Sequence, residues 1–456
     1  MISRDASPRG AFNLLAIPVF KRLMKSRWYP AVIAWPTLVV FAFITYELVA
    51  GPSSAHDNFG TALTWVLWWP LLPIMFLFAG RIWCTLCPFG TINDLVQKFV
   101  GNNRPVPLFL KRFGIWIIDG IFMLITWSDH LWGVVESPLN SGILLLLITL
   151  GAVVSGAFFE RRTWCRYLCF LGGLSGNYTR GGMIGLSATP DICASCTTSS
   201  CYKGNEKAAG CPMFVYPRTM DTNADCNLCG NCVKSCPNDS IRITTRLPSE
   251  ELWFVRKPQL PVAFLASVIM GIVFVQNITM LDIWNGVLGW FEKSLGLTNY
   301  PITFTIAFLI LMAVPVGLLF GASALAARAN GKTVVENFAR FGYAIIPRDM
   351  AGHIAHNLFH LLAEGKAIGY TALGLFGKAV PEASSAILDS ATIQVLQYAL
   401  VVLGMVASVY TALRLARGTT ESKPRRATTF APFAVLMLLL AAVNLWLFSM
   451  PMGMRM

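Results

Sequence analysis

Nine apolar runs organise the chain, at about residues 31–50, 62–80, 114–128, 142–159, 259–277, 301–327, 349–376, 393–413 and 429–449. Most approach the roughly 20 residues that an α-helix needs to cross a hydrocarbon core of about 30 Å. The pattern therefore predicts a polytopic α-helical membrane protein of about nine spans. The third run is short and carries Asp119, which makes it the lowest in hydropathy. Between the fourth and fifth runs the pattern breaks. Residues 187–256 are rich in Asn, Asp, Ser, Thr and Pro and read as an inserted soluble domain. Residues 1–30 contain "KRLMKSRW" and no small-residue cleavage site, so they read as a basic interfacial segment, not a removed signal peptide. The expected organisation is 1–30 interfacial, 31–186 a four-helix membrane region, 187–256 the insertion, and 257–456 a five-helix membrane region.

Composition supports the membrane reading: 55% of residues are hydrophobic and 13% charged, against roughly 25% charged in ordinary globular domains. The net charge of +13 raises nucleic acid as a partner, but its distribution argues against it. With nine spans and the N-terminus inside, Lys and Arg number 6, 5, 12, 4 and 5 in segments 1–30, 81–113, 160–258, 328–348 and 414–428. The remaining four, Lys293, Lys366, Lys378 and Arg455, fall on the other side. This is the positive-inside asymmetry, so the basicity is topological. It places the insertion and the N-terminus in the cytoplasm and the C-terminus outside.

Eight of the twelve cysteines lie within 44 residues of the insertion. "CNLCGNCVKSCP" supplies Cys226, Cys229, Cys232 and Cys236, the C-x2-C-x2-C-x3-C-P spacing of a bacterial-type [4Fe–4S] run. In two-cluster modules the fourth cysteine of such a run serves the other cluster. The partner run is Cys193, Cys196, Cys201 and Cys211. The expected partition is Cys193, Cys196, Cys201 and Cys236 for one cluster, and Cys211, Cys226, Cys229 and Cys232 for the second. Disulfides are disfavoured in a reducing cytosol, and zinc sites usually use two C-x2-C pairs.

Two further pairs sit where apolar runs end, in "GRIWCTLCPFGTIND" and "RRTWCRYLCFLGGLSG". Both read Arg-x-Trp-Cys, a second cysteine, then Phe and Gly, which suggests an internal repeat of two helical hairpins. With these pairs and the eight-cysteine insertion, residues 62–245 resemble the membrane-anchored polyferredoxins. That group includes the quinol-dehydrogenase membrane subunit of periplasmic nitrate reductase, the nitrous-oxide reductase regulator and the polyferredoxin of cytochrome oxidase assembly. The resemblance implies transmembrane helices with cysteine pairs near the cytoplasmic face, joined to a ferredoxin module. Repeat symmetry would bring Cys84, Cys87, Cys165 and Cys169 together. Four thiolates suffice for a third iron–sulfur cluster or a soft-metal site. Arg81, Arg161, Arg162 and Arg166 would lower the thiol pKa values and offset cluster charge. The competing reading is two reduced or redox-active thiol pairs on interfacial helix ends.

The seventh run, "RDMAGHIAHNLFHLLAEGKAIG", holds three of the five histidines. At about 100° per residue, His353, His356, His360 and Glu364 share one face about 80° wide. Ionisable groups inside a span are functional candidates. The stripe is compatible with a His/His/Glu metal site, with haem ligation, with a quinone head group or proton relay, or with a structural role alongside Gln394 and Gln397.

The sequence thus reads as an inner-membrane iron–sulfur electron-transfer protein, exchanging electrons between cytoplasmic or quinone donors and a membrane or periplasmic acceptor. A redox partner protein is expected. The alternatives are an iron or copper reductase or accessory protein for metal transport or cofactor assembly, and a non-catalytic redox-sensing or assembly protein. Whether the chain is itself an oxidoreductase, of quinol-dehydrogenase or metal-reductase type, stays open at this point. No Rossmann or P-loop glycine motif occurs.

Overall fold

The computed structural model describes residues 11–451 except 380, 382, 420 and 421. Residues 1–10 of the expected interfacial segment, and the C-terminal residues 452–456, lie outside the described residues. The chain is mostly helical. Seven helices among the described residues are long and apolar enough to cross a membrane: Ala31–Ala50, Phe59–Val100, Pro138–Phe158, Leu260–Ile278, Tyr300–Asn330, Ser390–Arg417 and Lys423–Phe448.

The other two expected spans depart from the sequence pattern for identifiable reasons. Residues 114–128 lie inside the 25-residue helix Leu108–Trp132, which is about 37 Å long at 1.5 Å per residue. Lys111, Arg112, Asp119 and Asp129 lower its hydropathy. Residues 349–376 do not form one helix. Ile346–Ala363 stops at Glu364, whose backbone leaves the helical region (φ −121°, ψ 2°), and Ala367–Gly374 follows. Gly365 sits in the break, where an added Cβ would lie 2.4 Å from Ile387 Cδ1.

The chain divides into two compact units. The first contains residues up to Phe43, Ile74–Ile118 and Leu145–Glu251. This unit joins the insertion to parts of the N-terminal helices. Within this unit, α1 is Pro18–Lys25, α2 Ala31–Ala50, α3 Trp69–Ala79, α4 Trp83–Leu86, α5 Pro88–Val100, α6 Leu108–Trp132, α7 Pro138–Phe158, α8 Thr163–Tyr167 and α9 Phe170–Gly181. Helices α2, α3, α6 and α7 are shared with the second unit. Strand β1 (Ile184–Ala188) pairs antiparallel with a returning strand, Ile241–Thr245, with Leu186 opposite Ile243. Alternation buries Ile241 and Ile243 and exposes Arg242, as a half-buried strand requires.

Residues 12–30, expected at the membrane interface, also pack on this small domain. Leu15, Met24 and Tyr29 join Leu186, Val233, Ile241 and Ile243 in its core. Thr245 N donates to the Phe12 carbonyl at 3.0 Å. Tyr29 Oη donates to the Leu228 carbonyl at 2.9 Å. The hydrophobic positions of α1 are thus spent on a protein surface, although Ile17, Val19 and Trp28 stay exposed.

The second unit holds Ile44–Pro73, Asp119–Leu144 and everything from Leu252. Its helices are α10 Leu260–Ile278, α11 Ile283–Leu295, α12 Tyr300–Asn330, α13 Val334–Phe341, α14 Ile346–Ala363, α15 Ala367–Gly374, α16 Ser390–Arg417 and α17 Lys423–Phe448. Helix α10 is the most buried of the seven candidate spans. Helix α14 packs on α16 and α10, and α17 packs on α16 and α12. Small residues allow these close approaches, as is usual between membrane helices. A Cβ on Gly404 would lie 2.4 Å from Ala351 Cβ, and one on Gly342 would lie 2.4 Å from Ala263 Cβ.

Candidate iron–sulfur centres and the histidine helix

In the small domain the eight cysteines gather around two cavities. Cys193, Cys196, Cys201 and Cys236 line one, together with Tyr216 and Arg218. Cys211, Cys226, Cys229 and Cys232 line the other. The loops curl through left-handed residues, Ser199, Phe214, Leu228 and Gly230, which turn successive thiols inward. Ser240 Oγ lies 3.0 Å from Cys193 Sγ, Ser240 N donates to Cys236 Sγ at 3.4 Å, and Val215 N donates to Cys211 Sγ at 3.3 Å.

Burial pushes the Cys201 thiol up to about 11, and the charges of Cys236, Cys193 and Cys196 add to it. Burial also pushes Cys226 up to about 12 and Cys229 to about 11. Four thiols so close resist ionising together unless a multivalent cation joins them, since a coordinating thiol is deprotonated outright. Cavities with four thiols each fit [4Fe–4S] clusters in donor number and type.

The hairpin cysteines are also brought to one place within the first unit. Cys84, Cys87, Cys165 and Cys169 are each less than a tenth exposed. Burial holds the Cys169 thiol well above its ordinary value, and the charges of Cys165, Cys87 and Cys84 push it further. Two arginines cross between the repeats. Arg81 Nε donates to Cys84 Sγ at 3.3 Å and Arg81 Nη2 to the Cys165 carbonyl at 3.3 Å. Reciprocally, Arg162 Nη1 donates to the Cys84 carbonyl at 2.8 Å and lies 3.9 Å from Cys165 Sγ.

The glycine that ends each motif makes room for the crossing arginine. A Cβ on Gly90 would lie 2.0 Å from Arg162 Nη1, and one on Gly172 would lie 3.1 Å from Arg81 Nη2. Arg162 is further fixed by Asp94, which accepts from its Nε and Nη2. At Cys165, Arg162 does pull the thiol pKa down, as expected, but its effect is outweighed. Burial dominates there and the value is raised despite Arg162.

Arg81 also ties this site to the second cavity, since its Nη1 donates to the Ala224 carbonyl at 2.7 Å, two residues before Cys226. Sequence reasoning missed both the crossing and this tie. The Gly that follows Phe in both motifs was the available signal.

The histidine helix α14 lies in the second unit. His353, His356, His360 and Glu364 are all buried. His356 Nδ1 and Asn277 Oδ1 are 2.7 Å apart, and His360 Nδ1 and Glu364 Oε1 are 3.2 Å apart. The His356 and His360 rings meet edge to face at 5.2 Å, and Trp69 meets His353 at 5.9 Å. Gln397 Nε2 donates to the Ala355 carbonyl and Gln394 Nε2 to the Phe448 carbonyl. His130 is occupied elsewhere, stacked on Phe304 and bonded to Thr279. The sequence reading also missed Asp349, one turn before His353 and fully buried.

Helical membrane anchors carrying these cysteine sites resemble the membrane-anchored polyferredoxins, and the comparisons support an iron–sulfur electron-transfer protein of a membrane. The sequence model of the 4Fe-4S binding domain family matches at residues 61–107 and 141–184. Those segments hold the two hairpin cysteine pairs, not the insertion. Over 226 residues, 44% of the chain, it is 23% identical to a protein of Escherichia coli (strain K12) named for electron transport, YccM. Over 213 residues, 43% of the chain, it is 24% identical to the ferredoxin-type protein NapH of the same organism. The matches span 60% of YccM and 72% of NapH. No solved structure matches the chain.

Proposed function

We propose that the chain is a three-cluster electron relay in the inner membrane, with its small domain in the cytoplasm, its N-terminus inside and its C-terminus outside. Cys193, Cys196, Cys201 and Cys236 hold the first [4Fe–4S] cluster. Cys211, Cys226, Cys229 and Cys232 hold the second, and Cys84, Cys87, Cys165 and Cys169 the third. The carrying observation is Arg81, whose guanidinium contacts both Cys84 Sγ and the loop of Cys226. The double match of the 4Fe-4S family to the hairpins supports the third cluster.

One-electron carriers do the redox chemistry, and the protein supplies spacing and electrostatics. Burial of all four hairpin thiols excludes water, and Arg81 and Arg162 offset cluster charge. Electrons exchange with a soluble redox partner at the first cluster, where Cys196 borders an open groove lined by Asp191, Thr197, Thr198 and Asn238. At the other end the third cluster meets an acceptor or donor of the membrane, a quinone in the reading we favour.

Anaerobically purified protein should hold about twelve iron per chain, and Cys84→Ser with Cys165→Ser about eight, at four per cluster. The double variant should keep two [4Fe–4S] signals in electron paramagnetic resonance. Its dithionite-reduced clusters should no longer be reoxidised by a short-chain quinone analogue. About eight iron in the parent would sink the third cluster, and zinc in place of iron would sink the whole reading.

A further inference from the structure

We propose that α14 carries a proton-conducting column through the second unit, from Asp349 through His353, His356 and His360 to Glu364. These residues are spaced by four, three, four and four positions. At about 100° per residue all five fall on one face about 80° wide, and at 1.5 Å per residue they climb about 22 Å. That is most of a hydrocarbon core of about 30 Å. Each of the five side chains is buried, with exposure of 2% or less. A carboxyl group stands at each end and imidazoles stand between.

The packing around this face is polar in the places a relay needs. Asn277 of α10 meets His356, and His360 is bonded to Glu364. Asn444 of α17, with its amide turned to face the guanidinium, accepts from Arg348 at 2.6 Å. Arg348 Nη2 also donates to the Leu440 carbonyl. Gln397 of α16 faces the Ala355 carbonyl, and the Trp69 ring faces His353. Arg348 is the buried cation beside Asp349, and it keeps the cytoplasmic end of the column from being purely anionic.

A purely structural role would close the hydrogen bonds of Asp349 and of the polar groups beside the stripe, and several of these stay open. Neither carboxylate oxygen of Asp349 has a hydrogen-bond partner among the described residues, and the same holds for Asn357 Oδ1, Asn277 Nδ2 and Arg348 Nε. Such atoms are costly in a low-dielectric interior unless water reaches them. Polar sites of this kind on one helix face are where internal water settles.

The transfer balances without a co-reactant. An imidazole accepts a proton at one ring nitrogen and releases another from the second. One proton enters at one terminal carboxylate and one leaves at the other, and no bond other than N–H or O–H is made or broken. The column is independent of the number of clusters bound.

Liposomes containing the full-length protein and an internal pH-sensitive dye test this, with a potassium diffusion potential set by valinomycin. The parent should take up protons faster than protein-free liposomes. Asp349→Asn and Glu364→Gln should each lower that uptake by about 10²-fold, the low end of what a positioned proton carrier contributes. Iron content and paramagnetic signals should match the parent. The proposal fails if parent liposomes are no faster than protein-free ones with clusters oxidised and again with clusters reduced by dithionite. It also fails if both variants assemble and conduct like the parent. Should Asp349→Asn not assemble, Glu364→Gln at the other end decides alone.

Discussion

Around the insertion's cysteines the polar partners are backbone amides and small hydroxyls, such as Val215 N on Cys211 and Ser240 on Cys193 and Cys236. Around the four hairpin cysteines the charged partners are two buried arginines, each held by both repeats. Both arrangements make a group of thiolates tolerable, but they distribute the work differently. Loop amides are many and cannot be removed by changing one side chain. The hairpin site concentrates the same task in Arg81 and Arg162, and in the glycines that admit them.

The largest effect should follow from Arg162→Ala. The substitution removes the contact to the Cys84 carbonyl and leaves Asp94 without its fork. Breaking a buried ion pair costs about 3–5 kcal/mol, and the low end applies here because Asp94 is 42% exposed. Denaturation in detergent should show that loss, and iron analysis should show about four iron fewer at one cluster's worth. Arg162→Lys should not restore the site, since an ammonium cannot reproduce the planar fork. If the iron lost came from the insertion's clusters instead, the contrast between the two regions would break.

This contrast also marks how far the sequence could be read. Apolar runs, Lys and Arg asymmetry and cysteine spacing are properties of single segments, and they located the spans and grouped the insertion's thiols. The Arg81–Gly172 and Arg162–Gly90 contacts join residues some 70 to 90 positions apart, and no local pattern encodes such a pairing. The packing of residues 12–30 on the small domain was not legible for a related reason. A basic amphipathic helix looks the same whether its apolar face meets lipid or the core residues Leu186 and Ile243. Asp349 was legible, because it continues the 100° progression of the histidines, but attention stopped at His353. The break at Gly365 was not, because hydropathy averages over a single glycine.

A smaller effect should follow from Gly90→Ala, which sharpens the comparison without removing any polar group. Its Cβ would fall 2.0 Å from Arg162 Nη1, so the guanidinium must shift or the helix must. Overpacking of this kind costs about 1–3 kcal/mol. Third-cluster occupancy should fall while the insertion's signals persist. Gly172→Ala should act in the same direction through the Cys165 carbonyl, 2.6 Å from the added carbon, and Arg81. Gly120→Ala serves as control, since nothing lies within 4 Å of its added Cβ. An alanine at Gly120 as harmful as one at Gly90 would mean that helix content, not arginine access, is being measured.

The smallest effect lies on the surface, where residues 12–30 meet the small domain. Lys25 Nζ reaches Asp239 at 2.6 Å and Lys21 Nζ at 3.2 Å, with all three side chains 38–54% exposed. The hydrogen bond from Lys25 holds the Asp239 carboxyl below its ordinary range, against a small opposing effect of burial, and Lys21 adds to the lowering. A carboxylate depressed in the folded state stabilises it fully above the free value of about 4. That contribution fades as pH falls through the lower folded value. Exposure limits it to less than about 1 kcal/mol, whereas burying Met24 and Tyr29 in the core is worth about 1.5–3 kcal/mol for each large side chain. Asp239→Asn should therefore speed protease cleavage within residues 12–30 by at most about five-fold at neutral pH. The difference should vanish in high salt, where exposed pairs are screened, while the Arg162→Ala defect should persist there because the buried hydrogen bond to the Cys84 carbonyl is not screened. A cleavage rate that ignored salt would show that Asp239 holds residues 12–30 through contacts other than the two lysines.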